Sequence, residues 1–125
     1  MNYPTKGVSN SADVTEPEVE LDSPVSETLF TENREVLLEF YVKDNMAQEL
    51  ECSVIANDKV LETAEFENNT LGSFYIDYLE DGIYYWNVEC DDGSNTNKAS
   101  EDWTINISAP DNPILKAIGN KVASE

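Results

Sequence analysis

Residues 79–90, L-E-D-G-I-Y-Y-W-N-V-E-C, constrain the fold more than any other part of the chain. Asp81 and Gly82 make a tight turn. The run behind it sets Tyr84, Trp86, Val88 and Cys90 on one face, the two-residue repeat of a half-buried β-strand. A tyrosine stands at the corner and a cysteine at the far end. Such a segment suits the central strand of a two-layer β-sandwich, and the remaining elements are read around it.

Alternation recurs on both sides of it. Val19 and Leu21 alternate with acids in a short first strand that ends at Ser23-Pro24. Over residues 35–44, Val36, Leu38, Phe40 and Val42 point inward and Glu39, Tyr41 and Lys43 outward. Leu50, Cys52, Val54 and Ala56 repeat the pattern, and Asn57-Asp58 turns the chain into a short strand at Val60 and Leu61. Residues 67–70 read as a polar turn. Residues 73–79 are β in composition, with Phe74 and Ile76 inward and a shift that also buries Leu79. After residues 91–100, a polar loop, Trp103, Ile105 and Ile107 face inward. The expectation is all-β: about seven antiparallel strands, roughly 8 to 12 residues apart, in a two-sheet sandwich.

The sandwich accounts for residues 18–108. Residues 1–17 are Ser, Thr, Asn, Pro and acid, too polar to offset the entropy of ordering, and read as a flexible linker. Residues 109–125 read as a linker followed by Ile114, Leu115, Ile118 and Val122, spaced to line one side of a short helix that is marginal by itself. The N-terminal stretch has no apolar core of a secretory signal. The chain therefore reads either as a cytoplasmic or viral protein starting at Met1, or as a piece of a longer exported one, which is the preferred reading.

The 125 residues hold 26 acids and seven bases, a formal charge of −19. No cation falls between Lys59 and Lys98, while nine carboxylates do, and a nucleic acid or an anionic lipid surface is repelled by such a face. No run of 18 apolar residues supplies a membrane span. With no histidine in the chain, a histidine-based triad is excluded, and no phosphate-cradling glycine loop, zinc motif or Gly-x-Ser-x-Gly is present. An enzyme is not expected, nor is a resident cofactor.

With these residues in view, the chain resembles the immunoglobulin-like (fibronectin-III-like) domains of archaeal and bacterial cell-surface proteins. The likeness rests on V-E-L-D-S-P, V-L-L-E-F-Y-V-K-D, the cysteine of L-E-C-S-V, L-E-D-G-I-Y-Y-W-N-V-E-C, and W-T-I-N-I. It implies a non-enzymatic module strung in a longer surface or secreted chain, with neighbouring domains or subunits as partners. One departure stands out. In antibody-type domains the cysteines join facing sheets and the corner tyrosine lies two residues before the second cysteine; here Tyr84 lies six before Cys90. Strand order puts Cys52 and Cys90 on neighbouring strands of one sheet, where a disulfide needs the two directly opposed. That pairing favours an oxidising compartment.

The other candidate sites are weaker. Asn68 and Asn106 match the glycosylation acceptor pattern. Tyr84 is expected to hydrogen-bond upstream backbone, and Trp86 and Trp103 to pack in the core. Outward Tyr41 and Tyr85 are candidates for a contact surface. Asp91 and Asp92, with Asn95, Asn97, Asp44 and Asn45 at the same end, are candidate calcium ligands, although their spacing is not that of an EF-hand. Three functions compete: a spacer, stalk or adhesion module; a virion or filament decoration protein; and a carbohydrate-binding module using Tyr41, Tyr85 or the 91–98 loop.

Overall fold

The structure, a computed structural model, describes residues 15–110. Most of the expected linker 1–17 and tail 109–125 lies outside the described residues. Nine strands run in the order β1 (Glu18–Ser23), β2 (Thr28–Phe30), β3 (Val36–Lys43), β4 (Glu49–Ala56), β5 (Lys59–Glu67), β6 (Thr70–Ile76), β7 (Gly82–Asp91), β8 (Thr96–Lys98) and β9 (Trp103–Ile107). No helix occurs among the described residues.

The strands form two sheets. The larger has the order β2-β9-β7-β4-β5, with β8 added to β7, and the smaller has the order β1-β3-β6. The count is nine rather than seven because two three-residue strands, β2 and β8, escape any periodicity reading. The sandwich is not wholly antiparallel either, since β2 runs parallel to β9. The short element expected at Val60 and Leu61 is a nine-residue edge strand exposed along most of its length.

Alternation sets the core. Val36, Leu38, Phe40 and Val42 from the small sheet are each at most 2% exposed, and they face Leu50, Cys52, Val54, Trp86, Val88 and Cys90 from the large one. Phe66 of β5 reaches across the gap, its ring edge-on to Phe40 (centroids 5.0 Å apart) and to Phe74 (5.2 Å). Aromatic contacts of this geometry contribute about 0.5–1.5 kcal/mol each beyond burial. Leu79, beyond the end of β6, also reaches the core, held by its backbone N–H to Arg34 O at 2.9 Å.

The turns follow from local chemistry. Asn57 and Asp58 both take positive φ (50° and 66°), the two-residue hairpin turn that Asn and Asp tolerate best. Gly82 opens β7 at φ 150°, a conformation other residues rarely adopt. Asn68 and Asn69 carry the chain from β5 in one sheet to β6 in the other.

Candidate functional site

Strand β7 organises the functional geometry. Its first residue, Gly82, pairs with Ile107 at the end of β9, and its last, Asp91, lies beside β8 and Glu51. The chain reaches β1 at the Asp91 end, where Asn97 Nδ2 donates to Pro17 O at 3.0 Å and Asn95 Nδ2 to Thr15 O at 3.5 Å. Pro17 is buried. The chain leaves β9 at the Gly82 end. Ten residues of strand separate the two ends, about 30 Å at ~3.3 Å per residue.

The Gly82 end is closed by Arg34, the chain's only arginine. Its guanidinium forms an ion pair with Asp81 at 3.0 Å, donates to Leu79 O at 3.2 Å and to Ala109 O, and stands 5.7 Å from the centre of the Tyr78 ring. Ala109 N–H also donates to Asp81 Oδ1 at 3.2 Å, and Ala109 is 5% exposed. A planar fork with several donors suits this task better than lysine would. Sequence reading missed Arg34, and its rarity in so acidic a chain is the one signal that marks it.

Cys52 and Cys90 are disulfide-bonded between directly opposed positions of β4 and β7, with Cα atoms 4.1 Å apart. Tyr84 hydroxyl donates to Glu80 O at 2.8 Å, tying the corner to the backbone four residues upstream. Partial burial and the nearby Glu80 carboxylate raise its pKa above the ordinary value. Trp86 is fully buried and meets the half-buried Trp103 edge-on at 6.2 Å. Asn87, 3% exposed on the same strand, holds the β8–β9 connection. Its Oδ1 accepts from Ala99 N at 3.1 Å, and its Nδ2 donates to Ala99 O at 3.0 Å and Asp102 Oδ1 at 2.9 Å.

Other candidates have different occupations. Both hydrogens of Asn68 Nδ2 are engaged, to Asp44 O (2.7 Å) and Ala47 O (2.8 Å), while its Oδ1 accepts from Asp44 N (2.7 Å). This amide clamps the β3–β4 loop, and a glycan on the same nitrogen would have to break the clamp. Asn106 is half-buried in a row between Leu29 and Ile83 on the outer face of the large sheet. The calcium candidates also serve their own loops. Asp91 Oδ1 accepts from Gly93 N, Asp92 Oδ1 from Ser94 N and Asn95 N, and Asp44 Oδ2 from Met46 N and Ala47 N. Among the described residues no group of three or more Cys, Asp or Glu side chains is placed to hold a metal ion.

Tyr41 and Tyr85 do not make one surface. Tyr41, 47% exposed, lies on the outer face of the small sheet, and Tyr85, 55% exposed, on that of the large sheet. Tyr41 instead pairs across strands with exposed Leu71, and exposed Leu37 pairs with exposed Tyr75 on the same face. Among the described residues no helix is long and apolar enough to cross a membrane.

No family model matches the chain, and no curated protein matches its sequence. Solved structures do. The fibronectin(III)-like modules of Clostridium thermocellum CbhA align with a TM-score of 0.63 at 12% identity, covering 85% of this chain and 51% of that one. A CARDB domain from Pyrococcus furiosus, solved in complex with di-metal ions, aligns with a TM-score of 0.54 at 12% identity, covering 76% of this chain and 94% of that one. The chain thus spans about half the length of the CbhA structure. Identity this low carries the fold alone, and the fold is that of an immunoglobulin-like β-sandwich module.

Proposed function

We propose that the domain is a non-catalytic spacer module of a cell-surface or secreted protein. The observation that carries this reading is the placement of its two ends. The chain comes in at the Asp91 end, bonded to Asn97, and goes out at the Gly82 end, gripped by Arg34. Each module in a series would then add its own length. The disulfide supports an oxidising location, and the strong negative charge supports solubility in a crowded surface layer.

Small-angle scattering of two copies joined tail to head tests the proposal. The expected result is module centres separated by at least one module length, about 30 Å. Two modules packed flank to flank would overturn it.

A further inference from the structure

The outer face of the small sheet sets aromatic rings and carboxylates side by side. Two apolar pairs stand on it, Tyr41 with Leu71 and Leu37 with Tyr75, and all four side chains are exposed. The Glu39–Ser73 row lies between the pairs, so they are four residues apart along β3 and β6, about 14 Å at ~3.4 Å per residue. Each tyrosine has a carboxylate beside it. Glu20 of β1 opposes Tyr41, and the Tyr75 hydroxyl donates to Glu35 Oε2 at 2.7 Å. A shallow groove of about 400 Å³ runs beside Tyr41, with Glu18, Glu20, Lys43 and Asn69 in its walls. Lys43 is the only cation in the three strands, and it opposes Glu18.

We propose that this face binds an extended, arginine-bearing segment of another protein, with guanidinium groups over the Tyr41 and Tyr75 rings. A tyrosine ring attracts a cation through its face, and a carboxylate beside it adds a charge-assisted hydrogen bond. Leu71 and Leu37 offer apolar surface to the arginine stems. The molecule already uses this chemistry once. Arg34 stands 5.7 Å from the centre of the Tyr78 ring while its guanidinium pairs with Asp81 at 3.0 Å. Side chains four residues apart on a strand share one side and are also about 14 Å apart, so a single strand laid over β3 and β6 reaches both rings. Glu39, half-buried between them, supplies a third carboxylate.

Charge selects this occupant. A second copy brings another −19 to a face of the same sign. A neutral glycan stacks on tyrosine but leaves Glu20, Glu35 and Glu39 without an opposite charge. On the large sheet, Tyr85 stands between Thr104 and Asn57, both uncharged. The proposal does not rest on the spacer reading, since scattering reads the two ends of the module and binding reads one flank.

Amide NMR titration of the full chain with the peptide Thr-Arg-Thr-Ser-Thr-Arg-Thr tests it. The expected shifts are confined to residues 35–43 and 69–77 and to β1 beside them. A peptide of the same composition with adjacent arginines, Thr-Thr-Arg-Arg-Ser-Thr-Thr, is expected to bind about threefold more weakly, because it reaches one ring only. Tyr41→Ser and Tyr75→Ser should each weaken the first peptide about two- to fivefold, and Glu39→Gln about twofold, while Tyr85→Ser leaves it unchanged. The remaining amides report in every variant that the sandwich is intact. Equal affinity for the two peptides, or shifts spread over the whole acidic surface, would reduce the attraction to net charge and overturn the proposal. So would weakening through Tyr85→Ser, no shift at all, or cellohexaose moving these amides where the peptide does not. Shifts that follow protein concentration without peptide would make a second copy the occupant and overturn it as well.

Discussion

Gly72 of β6 lies directly under the ring of Phe66 of β5, so that a Cβ at position 72 would stand 2.7 Å from Phe66 Cδ1 and 2.9 Å from Phe40 Cζ. This contact joins the two sheets and leaves no room for a methyl group. Gly72→Ala is therefore expected to destabilise the domain by about 1–3 kcal/mol through overpacking. Chemical denaturation would measure it, and an unchanged midpoint would show that the Phe66 ring can move aside.

Asn68 supplies three hydrogen bonds to Asp44 and Ala47 from a half-buried position. Asn68→Ala leaves those backbone groups unmatched and is expected to cost about 2–3 kcal/mol. The same engagement predicts that glycopeptide mapping, after expression in a glycosylating host, finds residue 68 bare. A glycan there would mean that the clamp opens before the modification occurs.

The Tyr84 hydroxyl must keep its proton to donate to Glu80 O. Its pKa is raised in the folded domain, so the stability it contributes is complete below the ordinary tyrosine value near 10 and is lost as pH climbs through the higher folded value. Tyr84→Phe is expected to remove about 1 kcal/mol near neutrality and to flatten the alkaline loss of stability. Urea titrations on either side of that pH compare the two proteins, and identical slopes would refute the assignment.

Arg34 joins three backbone or side-chain partners, Leu79, Asp81 and Ala109, that lie 45 to 75 residues further along the chain. Arg34→Lys keeps the charge but loses the fork, and an expected loss of about 1–3 kcal/mol should be accompanied by faster amide exchange at Ala109. Exchange at Asn97 and Lys98, at the other end, should stay as it was.

Intact mass checks the disulfide: the native chain should weigh two hydrogens less than the reduced one. Replacing both cysteines with alanine is expected to cost about 4 kcal/mol on the chain-entropy account of a 38-residue separation. Two alkylatable thiols in the native protein would remove both the covalent link and the argument for an oxidising compartment.

Where one side of a strand is buried and the other wet, the alternation in the sequence is plain, and β3, β4 and β7 were readable for that reason. Strand β5 was not, because an edge position leaves Glu62, Thr63, Ala64 and Glu65 all exposed and erases the repeat. Strands β2 and β8 are too short to carry one. The polar anchors were hidden for a different reason. Arg34 meets Leu79 and Ala109 across 45 and 75 residues, and Asn68 meets Asp44 across 24, so no local motif announces them. In the sequence Asn68 stands out only as a glycan acceptor, since the pattern Asn-x-Thr is visible while its partners are not.

The link between Cys52 and Cys90 joins two strands of one sheet and does not cross the core. Tension applied through β1 and β9 therefore passes between the sheets without a disulfide across the core, through packing such as Phe66 against Phe40 and Phe74, bridging hydrogen bonds and the connecting loops. If the layers part, the covalent link still withholds the 38-residue span between the cysteines from the lengthening chain, about 130 Å at ~3.5 Å per residue. A load that parts the layers would therefore lengthen the chain by less than its full extent while the sulfur bond lasts.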